Sequence, residues 1–213
     1  MYNFESVIKD LNKIASPNKY KKIFVLTGKK SFFLSGANKI IDKFLSNHEC
    51  SFYFKKSKIP QIEELKKIII KINKFEPDLV LAIGGGAVLD YAKIANSFDD
   101  IQNLNSRIIR STYKVKKKRP LLAIPTTAGS GAEVTSNAVI YINKIKYSVE
   151  HSSLTPDFYL LIPEIVVGLN SKIKSSSGFD AIAQSIESLL SKKSNPKSVS
   201  FAKKSLKISL KNF

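Results

Sequence analysis

Two short segments hold the residue types that could cradle a phosphorylated ligand. One is Gly84-Gly85-Gly86-Ala87, with Asp90 and Lys93 downstream; the other is Pro125-Thr126-Thr127-Ala128-Gly129-Ser130-Gly131, with Glu133 just beyond. Each follows an apolar run, Leu79 to Ile83 in the first case and Leu121 to Ile124 in the second. A buried strand that runs into glycines and then a helix lets backbone N–H groups approach a pyrophosphate. The helix N-terminus behind it adds unpaired donors and a favourable dipole. Asp90, one turn into the following helix, is expected to face the same cavity, and Lys93 either to neutralise phosphate or to lie on the solvated side. In the second loop, the hydroxyls of Thr126, Thr127 and Ser130 suit ribose and phosphate oxygens without a buried charge, and Glu133 is placed to cap or orient the loop. Each segment also has a plainer reading: a tight strand-to-helix turn for the glycines, and a Ser/Thr-rich cap of a following helix for the second loop. Together they point to a dinucleotide held across the edge of an α/β sheet.

A third constellation is Gly178-Phe179-Asp180-Ala181-Ile182-Ala183-Gln184-Ser185-Ile186-Glu187. Asp180 and Gln184 are four apart and project from one helical face, where a carboxylate and an amide oxygen could both reach one divalent ion. Spacing alone favours the alternative, an N-capped amphipathic helix. His48 and His151 are isolated and read as surface or packing residues.

The elements that must position these groups follow from periodicity. Strands are expected at 23–27, 52–54, 79–83, 121–124 and 158–162, the last stopped by Pro163. Helices are expected over Ser31 to Leu45, from Pro60 through Ile72, from Val88 to Asn96, over Phe179 to Leu190 and over Ser198 to Leu210. Glu63 and Glu64 stand favourably in the first turn of the second of these. Phe98-Asp99-Asp100 reads as the start of a polar loop, and Val134 to Tyr141 with Lys146 to Val149 as extra, antiparallel strands. Alternating strands and helices predict an α/β fold with a parallel sheet covered by helices.

Composition narrows the function classes. With 213 residues, 43 % of them hydrophobic, the chain can bury a core. No apolar run approaches the ~20 residues of a membrane span, and the start, Met1-Tyr2-Asn3-Phe4-Glu5, has no secretory pattern. The single cysteine, Cys50, allows no internal disulfide and suits a reducing compartment, so the expected location is cytoplasmic. A net charge of +18 invites a nucleic-acid reading, but only Arg107, Arg110 and Arg119 are arginines and the lysines are scattered. Specific nucleic-acid recognition leans on arginine and on a clustered basic face, so neither nucleic acid nor membrane is expected as a partner. The densest cluster, Lys114 to Arg119, reads as a solvated loop before a buried strand.

The segments Gly84 to Lys93, Ile124 to Thr135 and Gly178 to Glu187, in this order and spacing, resemble the iron-containing (group III) alcohol dehydrogenase family, over essentially the whole chain and matching its N-terminal part. Thr27-Gly28-Lys29-Lys30-Ser31-Phe32, Ser35-Gly36-Ala37, Lys146-Tyr147-Ser148, His151, Pro156-Asp157 and Ala183-Gln184-Ser185-Ile186-Glu187-Ser188 resemble its phosphonoacetaldehyde reductase branch. The resemblance implies a dinucleotide-binding α/β domain over 1–168 and, over 169–213, the first helices of an all-helical metal domain. It implies reversible hydride transfer between NAD or NADP and a small aldehyde or alcohol, assisted by Fe²⁺ or Zn²⁺ acting as a Lewis acid. By motif match, Gly84, Gly85, Gly86, Ala87, Asp90, Thr126, Thr127, Ser130 and Lys146 would hold the cofactor, and Asp180 and Gln184 would stand at metal positions. No catalytic residue is assigned.

Three departures from the family pattern qualify this. Ala87 stands where the family usually has Ser, and Gln184 where most members place a metal-binding His. Neither histidine follows Asp180, whereas family members continue for roughly another domain with further histidine ligands. The expectation is therefore an incomplete chain that needs a complementing C-terminal chain or self-association. Its apolar helix faces (Phe179, Ile182, Ile186, Leu189, Leu190, Phe201, Leu206, Ile208) would then be partly exposed. The alternative is a catalytically inactive nucleotide-binding fragment. Thr27-Gly28-Lys29 offers no carboxylate to a ribose hydroxyl, which leaves NADP open.

Overall fold

The computed structural model describes residues 4–18, 20–98 and 100–212. Met1 to Asn3, at the expected non-secretory start, and Asp99, in the expected polar loop, lie outside the described residues. The chain divides into two compact units, one of Met1–Thr126 with Ala132–Gly168 and one of Thr127–Gly131 with Leu169–Phe213.

In the first unit the elements run α1 (Phe4–Asn18), β1 (Lys22–Gly28), α2 (Lys29–Leu34), α3 (Ala37–Leu45), β2 (Glu49–Lys55), α4 (Ile62–Phe75), β3 (Leu79–Gly84), α5 (Gly86–Ala95), α6 (Leu104–Ile109), β4 (Leu121–Pro125), β5 (Asn137–Ile142), β6 (Ile145–Glu150), β7 (Phe158–Tyr159) and α7 (Pro163–Val167). Among the described residues five strands form one parallel sheet in the order β2-β1-β3-β4-β7, and β5 and β6 form a separate antiparallel hairpin. The expected α/β class and parallel sheet are thus observed.

The central strands are nearly continuous apolar runs because both faces of the sheet are covered. Alternation then sorts their side chains. Phe24, Leu26, Val80, Ala82, Leu121 and Ala123 join the core beneath α4 and α5, whereas Ile23, Val25, Leu79, Leu81, Ile83, Leu122 and Ile124 join that beneath α1 and α3. α4 buries Ile62, Leu65, Ile68, Ile69 and Ile72 at helical spacing. Carboxylates clamp the entry edge of the sheet: Asp78 accepts from the N–H groups of Lys21 and Lys22 at 2.8 and 2.9 Å, and Asp157 from that of Leu121 at 2.8 Å.

Several boundaries differ from the periodicity reading. The helix expected over Ser31 to Leu45 is two helices, split at Ser35-Gly36, where Gly36 takes φ 75°. β7 has two residues rather than five, and Pro163 opens α7 rather than merely stopping a strand. The expected strand from Val134 begins only at Asn137. α1 and α6 were not anticipated; α1 lies in a polar-rich stretch where Val7, Leu11 and Ala15, four residues apart, carry the buried stripe. Phe98, assigned to a polar loop, is fully buried against Tyr113.

The second unit contains α8 (Ser171–Leu190) and α9 (Pro196–Asn212). α8 starts eight residues before the expected Phe179, capped by the Asn170 side chain on the Ile173 N–H at 2.9 Å, so Ser175 to Gly178 are helical rather than a lead-in. The two helices meet through Ser185, whose hydroxyl bonds Ser205 at 2.8 Å. Phe179, Ile186, Leu190, Phe201 and Ile208 are exposed in this chain, whereas Ile182, Leu189 and Leu206 are half-buried. No helix among the described residues is long and apolar enough to cross a membrane.

One buried carboxylate ties the end of β2 to the helices. Glu64 accepts from the N–H groups of Lys56 and Ser57 at 2.6 and 2.9 Å and from the Tyr91 hydroxyl at 3.1 Å. Burial alone would raise its pKa, but these donors outweigh burial and hold it below the ordinary value. A folded value below the unfolded one means stability that is present above the ordinary carboxylate pKa and is lost as pH falls through the folded value. Glu64→Gln should therefore lower stability near neutral pH by about 1.5–3 kcal/mol. The gap to wild type in thermal unfolding should narrow as the acid limb is approached.

Candidate functional site

The strand order places a change of direction between β1 and β3: the chain leaves β1 toward β2 on one side and later builds β3 and β4 on the other. Ligands of doubly wound sheets bind in the crevice outside the carboxyl ends of the strands at such a point. Gly28 and Gly84 stand there on neighbouring strands, since Thr27 is in register with Ile83. The Thr27 hydroxyl donates to the Ile83 carbonyl at 2.6 Å and the Thr126 N–H to the Gly84 carbonyl at 3.0 Å, which fixes three adjacent strand ends together.

Gly84 is required by packing. A Cβ built there would lie 2.4 Å from Val88 Cγ2, because α5 folds back over the end of β3. Gly85 is the N-cap of α5 and offers no side-chain cap, so the first-turn N–H groups of Gly86 and Ala87 are left to another acceptor. The two loops are not alike, however. The second is followed by bends and turns and then β5, so the expectation of a helix behind it, and of a Ser/Thr cap for that helix, is corrected. Hydrogen bonding to the neighbouring strand, rather than a helix, holds Thr126, which is fully buried.

Asp90 and Lys93 lie where α5 meets β5. Lys93 is 1 % exposed, and its ammonium donates to Thr135 Oγ1 at 2.8 Å and the Asn137 carbonyl at 3.1 Å. Of the two alternatives, the solvated side is corrected, and two of its three donors go to Thr135 and Asn137 at the entry to β5. Burial lowers its pKa to about 8, against the pull of Asp90 and Glu133. Burial raises Asp90 to about 6, opposed by Lys93, the Val139 N–H and Lys146. The β5–β6 hairpin thus brings Lys146, otherwise exposed, into the electrostatic field of Asp90.

In the second unit, Thr127 and Ser130 flank Gly129, whose built Cβ would lie 2.5 Å from the Ser177 carbonyl on α8. The loop 127–131 is therefore seated directly on the helix backbone. Asp180 and Gln184 are exposed on α8 and joined to each other, the amide Nε2 donating to Asp180 Oδ2 at 2.9 Å. Among the described residues no three His, Cys, Asp or Glu side chains group as metal ligands. Two oxygen donors fall short of the four or more that Zn²⁺ or Fe²⁺ takes, so these residues do not by themselves fit a metal centre. His48 bonds the Phe44 carbonyl and His151 the Ser153 N–H, consistent with local structural roles.

Sequence reasoning passed over Tyr91 and gave Glu64 only a favourable place in the first turn of its helix. The signal for Glu64 was its position four residues before Ile68, on the apolar face of α4, where a carboxylate must find partners.

Two outcomes follow. Gly84→Ala should cost about 1–3 kcal/mol by overpacking, visible as a fall in melting temperature, and Val88→Ala in the same chain should recover part of the loss. The folded state holds the Asp90 proton more tightly than the unfolded chain does, so stability is lost as pH rises from the ordinary carboxylate value through about 6. Wild type should accordingly lose melting temperature relative to Asp90→Asn between about pH 4 and about pH 6.5.

Known proteins share this architecture. The family model for iron-containing alcohol dehydrogenase matches residues 1–163. An alcohol dehydrogenase from Thermococcus barophilus is 33 % identical over 156 residues, 70 % of this chain and 41 % of its own length. An NADPH-dependent butanol dehydrogenase from Clostridium saccharobutylicum is 31 % identical over 147 residues, 64 % of this chain and 37 % of its own. The sulfoacetaldehyde reductase from Bifidobacterium kashiwanohense, solved in complex with NAD⁺, is 29 % identical and superposes with a TM-score of 0.84, covering 96 % of this chain and 55 % of its own. The chain thus spans less than half the length of these two curated relatives and about half that of the solved structure. The match of the family model across most of the chain, on a sheet whose glycine loops stand at the switch point, makes this chain a member of the iron-containing alcohol dehydrogenase family.

Proposed function

We propose that the chain supplies the dinucleotide-binding part of an NAD(P)-dependent alcohol dehydrogenase or aldehyde reductase. The observation that carries this reading is the convergence of Gly28, the Gly84–Gly86 loop and Thr126 on the carboxyl edge of a sheet in the order β2-β1-β3-β4-β7. Gly84 to Ala87 would hold the pyrophosphate on backbone N–H groups at the start of α5. Ala87 keeps the amide and gives up the hydroxyl that Ser would add. Asp90 and Lys146 would set the charge beside the cofactor, and Thr126 would bond one of its oxygens. When bound, the nicotinamide supplies or accepts the hydride exchanged with an aldehyde or alcohol carbon. The substrate class favoured is a small aldehyde carrying an anionic head, in the manner of phosphonoacetaldehyde. The branch-like motifs at Thr27 to Phe32 and Ala183 to Ser188 support this, as does the likeness to a sulfoacetaldehyde reductase. The donor pair Asp180 and Gln184 on α8 does not by itself complete a metal site.

That donor count also supports a second reading, a nucleotide-binding chain without turnover of its own. Calorimetric titration with NADH and NADPH, with and without Fe²⁺ or Zn²⁺, tests the first. Micromolar binding that is indifferent to metal is the expected result, and a folded chain that binds neither nucleotide would overturn it. Aldehyde-dependent oxidation of the bound nucleotide by the chain alone would in turn remove the second reading.

A further inference from the structure

β1 and β2 end side by side, with Gly28 in register with Lys55. A Cβ built on Gly28 would lie 2.8 Å from Ser31 Oγ and 3.9 Å from Lys55 Cε. Gly28 is thus a bare floor between a hydroxyl and the stem of a half-buried lysine. In dinucleotide sites of this topology the residue at a neighbouring strand end meets the adenosine ribose, and a carboxylate there accepts from the 2′-hydroxyl. Here β1 ends in Thr27-Gly28, followed by Lys29, and β2 ends in Phe54-Lys55, followed by Lys56; none is acidic.

Among the described residues the Glu64 carboxylate acts electrostatically on Lys55, and it is engaged by two N–H groups and the Tyr91 hydroxyl. These bonds anchor Lys56 and Ser57 to Glu64 on α4 and, through Tyr91, to α5, the helix that opens at the glycine loop, so the chain just after Lys55 is tied to that helix. Its ammonium donates to the Ser57 carbonyl at 2.7 Å, a neutral acceptor. Burial lowers its pKa and Glu64 opposes the shift, an arrangement that a second anion would improve.

Building on the dinucleotide reading above, we propose that Lys55 is a specificity-determining residue whose ammonium pairs with the 2′-phosphate of NADP(H), with Gly28 leaving the space and Ser31 flanking it. The chain then prefers NADP(H) to NAD(H). A carboxylate in place of Gly28 would fill that space and neutralise the lysine; the absence of a side chain there serves the phosphate.

The test compares 2′,5′-ADP with 5′-AMP, and NADPH with NADH, by calorimetric titration of wild type, Lys55→Met and Lys55→Arg, each checked for cooperative thermal unfolding. The expected result is an NADPH preference of about tenfold or more, the scale of one charge-assisted bond. Lys55→Met should abolish it with little change in NADH affinity, and Lys55→Arg should keep most of it. The preference of wild type should also shrink as salt is raised, a readout that survives if the Met variant does not fold. Equal binding of the two nucleotides, or a preference unchanged in Lys55→Met, overturns the Lys55 assignment and leaves the dinucleotide reading standing. A folded wild type that binds none of the four probes overturns both.

Discussion

The close seating of α5 on the end of β3 is the constraint on which the rest depends. Because Val88 occupies the space where Gly84 would carry a Cβ, the helix begins directly over the strand end and its first-turn N–H groups face the carboxyl edge of the sheet. Parallel pairing in register then carries that edge across β1, β3 and β4, so Gly28, Gly84 and Thr126 are neighbours although they are far apart in sequence. Any side chain at Gly84 would push the helix away and dissolve the geometry that makes the loop a phosphate cradle.

Buried polar groups fasten the surrounding pieces to this helix. Lys93 joins α5 to the approach to β5 through Thr135 and Asn137, and Tyr91 joins it to Glu64 and the end of β2. In both places an ionisable group has been taken out of water, and in both it is hydrogen-bonded, as the cost of an unpaired buried charge demands. One helix, three successive residues of which (Tyr91, Ala92, Lys93) are fully buried, thereby sets both the β2 edge and the β5–β6 hairpin against the glycine loop.

Much of this was legible because long apolar runs ending in glycine or in Pro-Thr-Thr have few other uses in a globular chain. Leu79 to Ile83 and Leu121 to Ile124 became adjacent strands, and the alternation of elements led directly to the parallel sheet. Periodicity misled where local sequence was ambiguous. Helical spacing ran straight through Ser35-Gly36 although the backbone turns left-handed there, and Ser175 to Gly178 looked like a lead-in although α8 continues through them. Phe98 was placed in a polar loop because its neighbours are aspartates, yet it is buried against Tyr113.

By itself the sequence determined the fold class, the two loops and the family, because these depend on residue type and on spacing within single elements, which a linear pattern retains. Only the tertiary structure decided what the charged residues do. That Lys93 is a buried strut, that Asp90 shares a field with Lys146, and that Lys55 stands over Gly28 all depend on which strands pair and which helix covers them. The physical reason is that a charge takes its role from its surroundings: burial, and the partner brought opposite by a distant segment, shift its pKa and occupy its bonds, and neither is written in the residues beside it.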